Sequence, residues 1–456
     1  MGRAGLSARP ARRPLHSPAP HRSTVTSAQV FHIAGPAMIA NLTTPLIGIV
    51  STTAIGRLGE AAMLGGVAMA SVIFDCLFWL FAFLRASTLA FTAQSLGAGE
   101  SDEIRMVLIR GLALAALIGV ALIALQLPIA AIIFELMGGS DAVLGAARTY
   151  FKVRIWSAPF ALANYVLLGW LVGLARARLA LAVQVAINLI NMAATILLVQ
   201  VLERGIAGAA IAALVAETVG VAIGLLLARR LVTTTHGLSL PLLFDRAKLM
   251  HMMAINRDIM IRTAAMIVAF LFFTAQGARA GDTTLAANAV LNNFLLVAAF
   301  FLDGLANAAE QLCGYAFGAR NRDAFAGATR LVLGWGFGFA LVVAVIFVLF
   351  GPELIDVMTA SPAVRSAGRD YLPYVVASPL VSVFAFAFDG VYIGATWARD
   401  MRNLMIAALI VFLGVWLALR GFGNTGLWVA LLSFYAARGG FQAARYPALL
   451  RMSFAK

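Results

Sequence analysis

The sequence is poor in charged residues and almost free of cysteine. Charged residues make up 12% of its 456 positions, about half the share that is usual for a soluble domain. The length would suggest about three soluble domains, but so few charges do not cover their water-facing surfaces. The two cysteines, Cys76 and Cys313, lie inside apolar stretches, which excludes a disulfide framework and a cysteine-based metal site. Because 62% of the residues are hydrophobic, most of the chain is expected to face lipid.

The sequence also lacks the residue clusters on which catalysis or nucleic-acid binding depends. Its histidines are scattered, and it contains no nucleophile elbow or phosphate-binding loop, so we expect neither an enzyme nor a metal site. The net charge of +14 does not indicate nucleic-acid binding, because Arg and Lys lie mostly in short gaps between apolar runs instead of on one interaction face. This distribution indicates a polytopic membrane protein.

Twelve apolar runs reach about the 20 residues that a membrane helix needs. They lie near residues 29–55, 63–93, 106–134, 150–173, 179–202, 206–228, 249–277, 284–312, 326–350, 371–394, 403–420 and 425–450. Since a chain in lipid must satisfy its backbone hydrogen bonds internally, we predict an all-α fold with about twelve transmembrane helices. Most Lys and Arg residues of the connections fall on the side that holds both termini. The positive-inside rule therefore predicts a multi-pass protein of the plasma (inner) membrane with cytoplasmic N- and C-termini.

The second half of the chain repeats the first at a constant offset. Identical pairs at this offset are Gly97 and Gly318, Ser140 and Ser361, Tyr150 and Tyr371, Gly169 and Gly390, and Gly173 and Gly394. Six spans in each half predict two parallel, pseudo-symmetric lobes with a substrate path near their interface. The predicted units are a basic disordered cytoplasmic tail at 1–27, an N-lobe of six helices at 28–230, a cytoplasmic linker at 231–248 and a C-lobe of six helices at 249–452.

Ionisable residues inside the predicted spans are costly in lipid and are therefore candidates for function. Counted at about 1.5 Å of helix per residue, five acids approach the middle of the bilayer, namely Asp75, Glu217, Asp258, Asp303 and Asp389. The predicted cavity-lining stripes are Asp303, Asn307 and Glu310 on the eighth span, and Asn188, Asn191 and Thr195 on the fifth. Hydrogen bonding between helices explains the asparagines equally well. Asp258 and Arg262, four residues apart, could form a buried pair with a structural role alone.

An ordered series of short motifs follows the predicted tail. It includes Phe83-Leu84-Arg85, Asn256-Arg257-Asp258, Asp303-Gly304 with Glu310, and Asp389-Gly390 with Ile393-Gly394. The series resembles the multidrug and toxic compound extrusion (MATE) transporters, in their DinF-like branch. The resemblance implies export of amphiphilic or cationic organic compounds by antiport with H⁺ or Na⁺, through alternating access between two lobes. We therefore expect a small organic substrate, a lipid bilayer as surroundings, no nucleic acid, no cofactor beyond the coupling ion, and a monomer.

The chain departs from the family pattern at the coupling site. Where the family has an acid on the first helix, this chain has Ser51, and where it has an aspartate on the fifth helix, this chain has Thr195. The supporting amides are retained as Asn164 and Asn191. Coupling needs a group whose affinity for the cation differs between the two access states, and hydroxyl groups do not titrate in that range. We predict that coupling has moved to Asp75 and Glu217 in the N-lobe or to Asp258, Asp303 and Asp389 in the C-lobe.

Other functions remain open at this point. A flippase for lipid-linked precursors, or a gradient-independent exporter of the same superfamily, is the main alternative. A cationic cleft suited to phosphate head groups would favour the flippase, and the charges at mid-membrane depth are mostly acidic. A membrane-embedded enzyme lacks a visible constellation of His, Cys or Ser, and a non-transporting sensor would show no substrate flux.

Overall fold

The computed structural model describes residues 25–57, 60–138, 140–232 and 240–455. Most of the predicted tail and residues 233–239 of the predicted linker therefore lie outside the described residues. Within the described ranges every regular element is helical and no strand occurs. This is the outcome that the sequence predicts, because only helices satisfy the backbone of an apolar chain segment by segment.

The first half of the chain contains nine α-helices. They are α1 (Ser27–Gly56), α2 (Ala61–Leu80), α3 (Phe83–Ala98), α4 (Ser101–Ala124), α5 (Gln126–Met137), α6 (Asp141–Arg154), α7 (Ala158–Gly173), α8 (Ala177–Ile196) and α9 (Gly205–Leu231). Some predicted spans consist of two segments. Only Phe81 and Ala82 separate α2 from α3, and a 3-10 turn at Ile155–Ser157 joins α6 to α7. This turn precedes Pro159, which lies at the start of α7, a position where proline is tolerated because its missing N–H has no partner there.

The second half contains seven further helices. They are α10 (Leu240–Leu243), α11 (Arg246–Arg279), α12 (Asp282–Gly318), α13 (Arg322–Met358), α14 (Pro362–Gly394), α15 (Ala398–Leu419) and α16 (Gly423–Ser453). In the described part of the chain, 11 helical stretches are long and apolar enough to cross a membrane. The last of them, Ala398–Ser453, has 56 residues and holds both α15 and α16, which a 3-10 turn at Arg420–Phe422 separates. The prediction of about twelve spans is thereby confirmed.

The internal repeat is visible in local geometry as well as in residue identity. Ser140 caps α6 by accepting a hydrogen bond from the amide of Val143, and Ser361 caps α14 in the same way from Val364. Two turns show the same correspondence, because Ala175 and Thr396 both adopt a left-handed backbone, with φ of 58° and 56°. Positions that the repeat relates therefore occupy equivalent places in the two halves.

The two halves meet where the end of α3 crosses the end of α12. A side chain at Gly97 would collide with the backbone carbonyl of Tyr315, and one at Gly318 would collide with that of Gln94. Because residues 97 and 318, like 94 and 315, are related by the repeat, these two contacts are equivalent. The crossing therefore lies on the pseudo-twofold axis, and glycine is required there because only glycine lets two backbones approach so closely.

Candidate functional site

The C-lobe holds one aspartate between two arginines. Asp389 of α14 accepts hydrogen bonds from Arg262 of α11 and from Arg438 of α16, the latter at 2.7 Å. Its second oxygen accepts from the amide of Gln442 at 2.7 Å. Arg438 is 2% exposed, and its guanidinium lies over the ring of Phe434 at 5.4 Å. We call Arg262, Asp389, Arg438 and Gln442 the C-lobe cluster. It fixes three helices to one another through charged hydrogen bonds, which are about twice as strong as neutral ones.

The N-lobe holds a smaller polar group, built around Glu217 of α9. The amide of Asn164 on α7 donates to the Glu217 carboxylate at 2.6 Å and to its main-chain oxygen at 2.9 Å. Arg154 of α6 lies 3.7 Å from the same carboxylate and places its guanidinium 5.4 Å from the ring centre of Phe78. We call Arg154, Asn164 and Glu217 the N-lobe cluster. Its acid is held mainly by a neutral amide, so its contact is weaker than that of Asp389.

A third polar group lies between the lobes, on the face of α12 that the sequence predicts to line a cavity. Asn307 accepts a 2.7 Å hydrogen bond from Arg85 of α3, which joins the two halves. Glu310, one turn further along, is only 4% exposed, and its Oε2 atom has no hydrogen-bond partner among the described residues. Asp303, one turn before Asn307, is half-buried. We call Arg85, Asp303, Asn307 and Glu310 the interlobe group.

Glu310 is the unusual member of the interlobe group. Burying a charged carboxylate without a partner is very costly, and such groups normally neutralise instead. The charged residues that act on it are Arg85 from α3, Arg262 from α11, Asp389 from α14 and Asp303 from its own helix. Two of these residues are basic and two are acidic, so together they do not supply a net positive charge that would pair with the Glu310 carboxylate. A carboxyl in this position can carry a cation or a proton between two states of the lobe interface.

One side-chain hydrogen bond links the polar stripe on α8 to α1, and the other hydrogen bonds of the stripe lie within α8. Asn188 donates to Thr43 of α1 at 2.7 Å and accepts from Gln184 at 2.9 Å. Thr195 donates to Asn191 at 3.2 Å, and both side chains are buried. The asparagines therefore hydrogen-bond to neighbouring helical residues.

The two positions that lack the expected acids lie at a similar level. α1 is the first membrane span and α8 belongs to the fifth, so the two helices run in the same direction. Ser51 lies eight residues beyond Thr43, and Thr195 lies seven beyond Asn188, so both are about two turns past the contact between the helices. Ser51 is half-buried. This part of the N-lobe contains hydroxyl groups and amides, with no carboxylate at either position.

Asp258 and Arg262 do not form the pair that their spacing allows. Asp258 binds Arg402 of α15 at 2.7 Å and its neighbour Arg257 at 3.0 Å, whereas Arg262 binds Asp389. Arg402 lies four residues from the start of α15 at Ala398, so Asp258 lies near an end of the bundle. Spacing along one helix does not decide the partner, because arginine reaches equally well to a neighbouring helix.

Asp75 lies near the N-lobe cluster but forms no hydrogen bond or ion pair with the described residues. Its residue is exposed, although Arg154 is close enough to act on it electrostatically. The structure therefore does not bring the predicted acids together. Glu217 lies in the N-lobe cluster, Asp389 in the C-lobe cluster, Asp303 and Glu310 between the lobes, and Asp258 at the bundle end.

Three arginines inside the spans are not among the residues that the sequence analysis singles out as site candidates, namely Arg85, Arg154 and Arg438. Arg262 is the one arginine among those candidates. The charges at membrane depth are therefore not acidic alone, because these bases accompany the acids. The sequence does contain a sign of Arg438, because an arginine within an apolar run such as Phe434 to Phe441 is as costly to bury in the membrane as an acid.

Another ionic contact joins the lobes at the ends of their helices. Glu103 of α4 accepts from Lys248 of α11 at 2.7 Å and from Arg110 at 2.6 Å. These residues line a cavity of about 420 Å³. The same end of the molecule contains the hydrogen bond from Gln94 of α3 to the carbonyl of Gly394 at 2.7 Å. The lobes are thus closed against each other on the side where α3 ends and α11 begins.

Comparison with known proteins places this architecture in a family. The family model described as MatE matches residues 36–228 and 259–418. DNA damage-inducible protein F of Escherichia coli (strain K12) is 37% identical over 418 residues, which cover 91% of this chain and 91% of that protein. The probable multidrug resistance protein NorM of Caulobacter vibrioides is 27% identical over 439 residues, which cover 92% of this chain and 91% of that protein.

A solved structure supports the same assignment at the level of the fold. It is described as the outward-facing conformation of a multidrug resistance MATE family transporter, and it superposes with a TM-score of 0.85. The identity is 18%, over 94% of this chain and 96% of that chain. Since the family model covers more than half of the sequence and the bacterial relative exceeds one third identity along its length, the chain belongs to the MatE family of multidrug and toxic compound extrusion transporters.

Proposed function

We propose that this protein is a secondary active multidrug efflux transporter that exports amphiphilic or cationic organic compounds by antiport with H⁺ or Na⁺. One relative, whose alignment covers 92% of this chain, is named as a probable multidrug resistance protein. A buried carboxyl between the lobes, with no partner among the described residues, supports the antiport. No organic cofactor enters the proposal, and the substrate is a small molecule.

The interlobe group is the proposed coupling site. Of the acids that the sequence singles out, Glu217, Asp258 and Asp389 are each held by a hydrogen bond or ion pair. Glu310 lacks such a partner, and Asp303 lies on the same helix, on the other side of Asn307. Because a ligand shifts a conformational equilibrium only through different affinities for the two states, the acid whose surroundings change when the lobes part is the best coupling group. Glu310 meets this condition.

Alternating access is supported by where the lobes touch. Hydrogen bonds between the halves join Arg85 to Asn307, Gln94 to Gly394 and Lys248 to Glu103. The last two lie at the end of the bundle that we propose to be cytoplasmic, and the first lies deeper. Opening that side would break these contacts and hydrate Glu310, while closure would bury it. Release and uptake of a cation would then accompany the exchange between the two states.

The proposed membrane location and orientation follow from the distribution of basic residues. We propose a plasma (inner) membrane protein with both termini in the cytoplasm, acting as a monomer. The proposed units are the tail 1–27, the N-lobe 28–230, the linker 231–248 and the C-lobe 249–452. Each lobe then contributes one wall of the substrate path, which is the usual place for a site between repeats.

A flippase for lipid-linked precursors is a weaker candidate. The arginines between and within the lobes would suit a phosphate group, but Arg85 already donates to Asn307 and both Arg262 and Arg438 donate to Asp389. These hydrogen bonds already engage the bases with acceptors of the protein itself, which makes the bases less available to a phosphate group.

Transport into proteoliposomes tests the proposal. The purified chain is reconstituted, and accumulation of a fluorescent cationic dye is measured under an imposed pH gradient, an imposed Na⁺ gradient, or neither. We expect accumulation with one of the gradients and its collapse when an ionophore dissipates that gradient. Equal dye flux with and without gradients would overturn the antiport mechanism, and translocation of a labelled lipid-linked precursor in place of dye would establish the flippase.

A further inference from the structure

The N-lobe contains a basic cavity that the proposed transport cycle does not use. It has a volume of about 590 Å³ and lies among the ends of α1, α3, α4, α7, α8 and α9. His32, Arg105, Arg176 and Arg178 line it, and no Asp or Glu is among the described residues that do so. The remaining wall is largely apolar. We call this space the N-lobe basic cavity.

The C-lobe fills the equivalent space with aromatic rings. The repeat that pairs Gly97 with Gly318 also pairs three residues lining the N-lobe basic cavity, Leu96, Ile104 and Arg176, with Phe317, Phe325 and Trp397. The rings of Phe325 and Trp397 lie 5.6 Å apart, and those of Phe325 and Phe317 lie 6.3 Å apart. The smaller or charged residues of the N-lobe therefore leave a cavity at the place that aromatic side chains fill in the C-lobe.

The matching positions are secured by backbone hydrogen bonds. The amide of Arg176 donates to the carbonyl of Leu171, and that of Trp397 donates to the carbonyl of Tyr392, both at 2.9 Å. In the same way, the amide of Ile104 donates to the carbonyl of Glu100, and that of Phe325 to Asn321. The difference between the lobes is thus one of side chains on the same backbone.

Two arginines of the cavity carry charges that no described residue neutralises. Arg176 and Arg178 are exposed and form no ion pair with any residue that the structure describes. They border an apolar wall that contains Trp170, whose indole donates to the carbonyl of Ile104 at 3.0 Å. Tryptophan and arginine at helix ends are typical of the boundary between lipid and water. The cavity therefore combines positive charge with an apolar surface at the ends of the helices.

We propose that the N-lobe basic cavity binds the phosphate headgroup of an anionic phospholipid. Arg176 and Arg178 would hold the phosphodiester, and the half-buried apolar residues Leu96, Leu174 and Leu179, which also line the cavity, would contact the attached glycerol and acyl chain. Basic pockets between membrane helices on the cytoplasmic side are suited to such head groups. A free phosphate ion would satisfy the arginines but would leave the apolar wall without a partner, so the lipid is the better match.

Lipid titration of the full chain tests the proposal. The purified, delipidated protein is titrated in detergent with phosphatidylglycerol or with phosphatidylcholine of the same acyl chains, and bound lipid is counted by native mass spectrometry. We expect one tighter site for phosphatidylglycerol. The double variant Arg176→Gln/Arg178→Gln should weaken that site by about tenfold or more, because it removes two positive charges that attract the anionic headgroup.

Matched variants separate the cavity from the rest of the surface. Arg399, which the repeat pairs with Arg178 and which is also exposed, is the control, and Arg399→Gln should change the affinity by less than about twofold. Ile104→Phe copies the C-lobe residue and keeps all charges, and it should weaken binding by filling the space. Excess inorganic phosphate should not displace the lipid.

Three results would overturn the proposal. One is unchanged phosphatidylglycerol binding by the double arginine variant. Another is an equal loss in Arg399→Gln, which would indicate a general effect of surface charge. Full displacement by inorganic phosphate would assign the cavity to the free ion.

Discussion

The two lobes join their fourth and sixth spans with polar residues of opposite arrangement. In the N-lobe the acid, Glu217, lies on the sixth span and Asn164 of the fourth span donates to it. In the C-lobe the acid, Asp389, lies on the fourth span and Arg438 and Gln442 of the sixth span donate to it. Equivalent helices are thus connected mainly by an amide in the N-lobe, where the ion pair of Glu217 with Arg154 is long at 3.7 Å, and by a 2.7 Å ion pair together with an amide in the C-lobe.

This difference changes how a deep acid is interpreted. An acid at membrane depth is a functional candidate by default, but Asp389 has two arginines and an amide around it, which is a structural arrangement. Glu217 is partly held, and Glu310 has a carboxylate oxygen with no partner among the described residues. The availability of the carboxyl, more than its depth, separates the coupling candidate from the structural acids.

The C-lobe cluster is expected to give the largest loss of stability. Replacing Arg438 by methionine keeps its apolar packing but removes one partner of Asp389. Breaking a buried ion pair in this way costs about 3–5 kcal/mol. The measurement is the apparent Tm of the purified protein in detergent, compared with that of the wild type.

A control for this prediction is the exposed residue Arg399, whose substitution by glutamine should leave the Tm within experimental error. If Arg438→Met were as stable as Arg399→Gln, the C-lobe cluster would not be the structural centre that its contacts indicate.

Equivalent glycines test whether the lobes pack alike. A side chain at Gly169 would meet the carbonyl of Arg85, and one at Gly390 would meet that of Ala306. Gly169→Ala and Gly390→Ala should therefore each destabilise the protein by about 1–3 kcal/mol, the usual cost of overpacking. Gly414→Ala is the matched control, because nothing lies within 4 Å of an added methyl group there. A large cost in only one lobe would contradict the symmetric packing.

The N-lobe cluster is expected to give the smallest effect. Glu217→Gln retains an oxygen that accepts from Asn164, and the ion pair that it removes is long, at 3.7 Å. The loss should be about 1 kcal/mol or less, comparable with one hydrogen bond. Thermal unfolding beside Arg438→Met gives the comparison directly, and equal losses in the two variants would contradict the distinction between the lobes.

Much of the fold follows from the sequence for simple physical reasons. Long apolar runs leave helices as the only option in lipid, and the internal repeat predicts matched elements such as the caps at Ser140 and Ser361. The clustering of residues from different helices does not follow. The partner of Asp258 is not apparent from the sequence, because Arg402 lies far along the chain. The role of Arg438 is not apparent either, because a single base in an apolar run has no periodic pattern.

The candidate site was predictable only in part. The face of α12 that carries Asp303, Asn307 and Glu310 follows from helical spacing, and the structure places it against α3. That Glu310 lacks a partner while Asp389 has three depends on the packing of α11, α14 and α16. No spacing along one helix contains that information.

The most direct test of the coupling assignment compares two exchanges in Glu310→Gln. In proteoliposomes the account predicts that this variant loses gradient-driven accumulation of the dye but retains counterflow, in which labelled and unlabelled dye exchange without a gradient. Glu217→Gln should keep both activities within about threefold of the wild type, an effect no larger than one hydrogen bond would cause. Gradient-driven accumulation by Glu310→Gln at the wild-type level would contradict the assignment of coupling to the interlobe group.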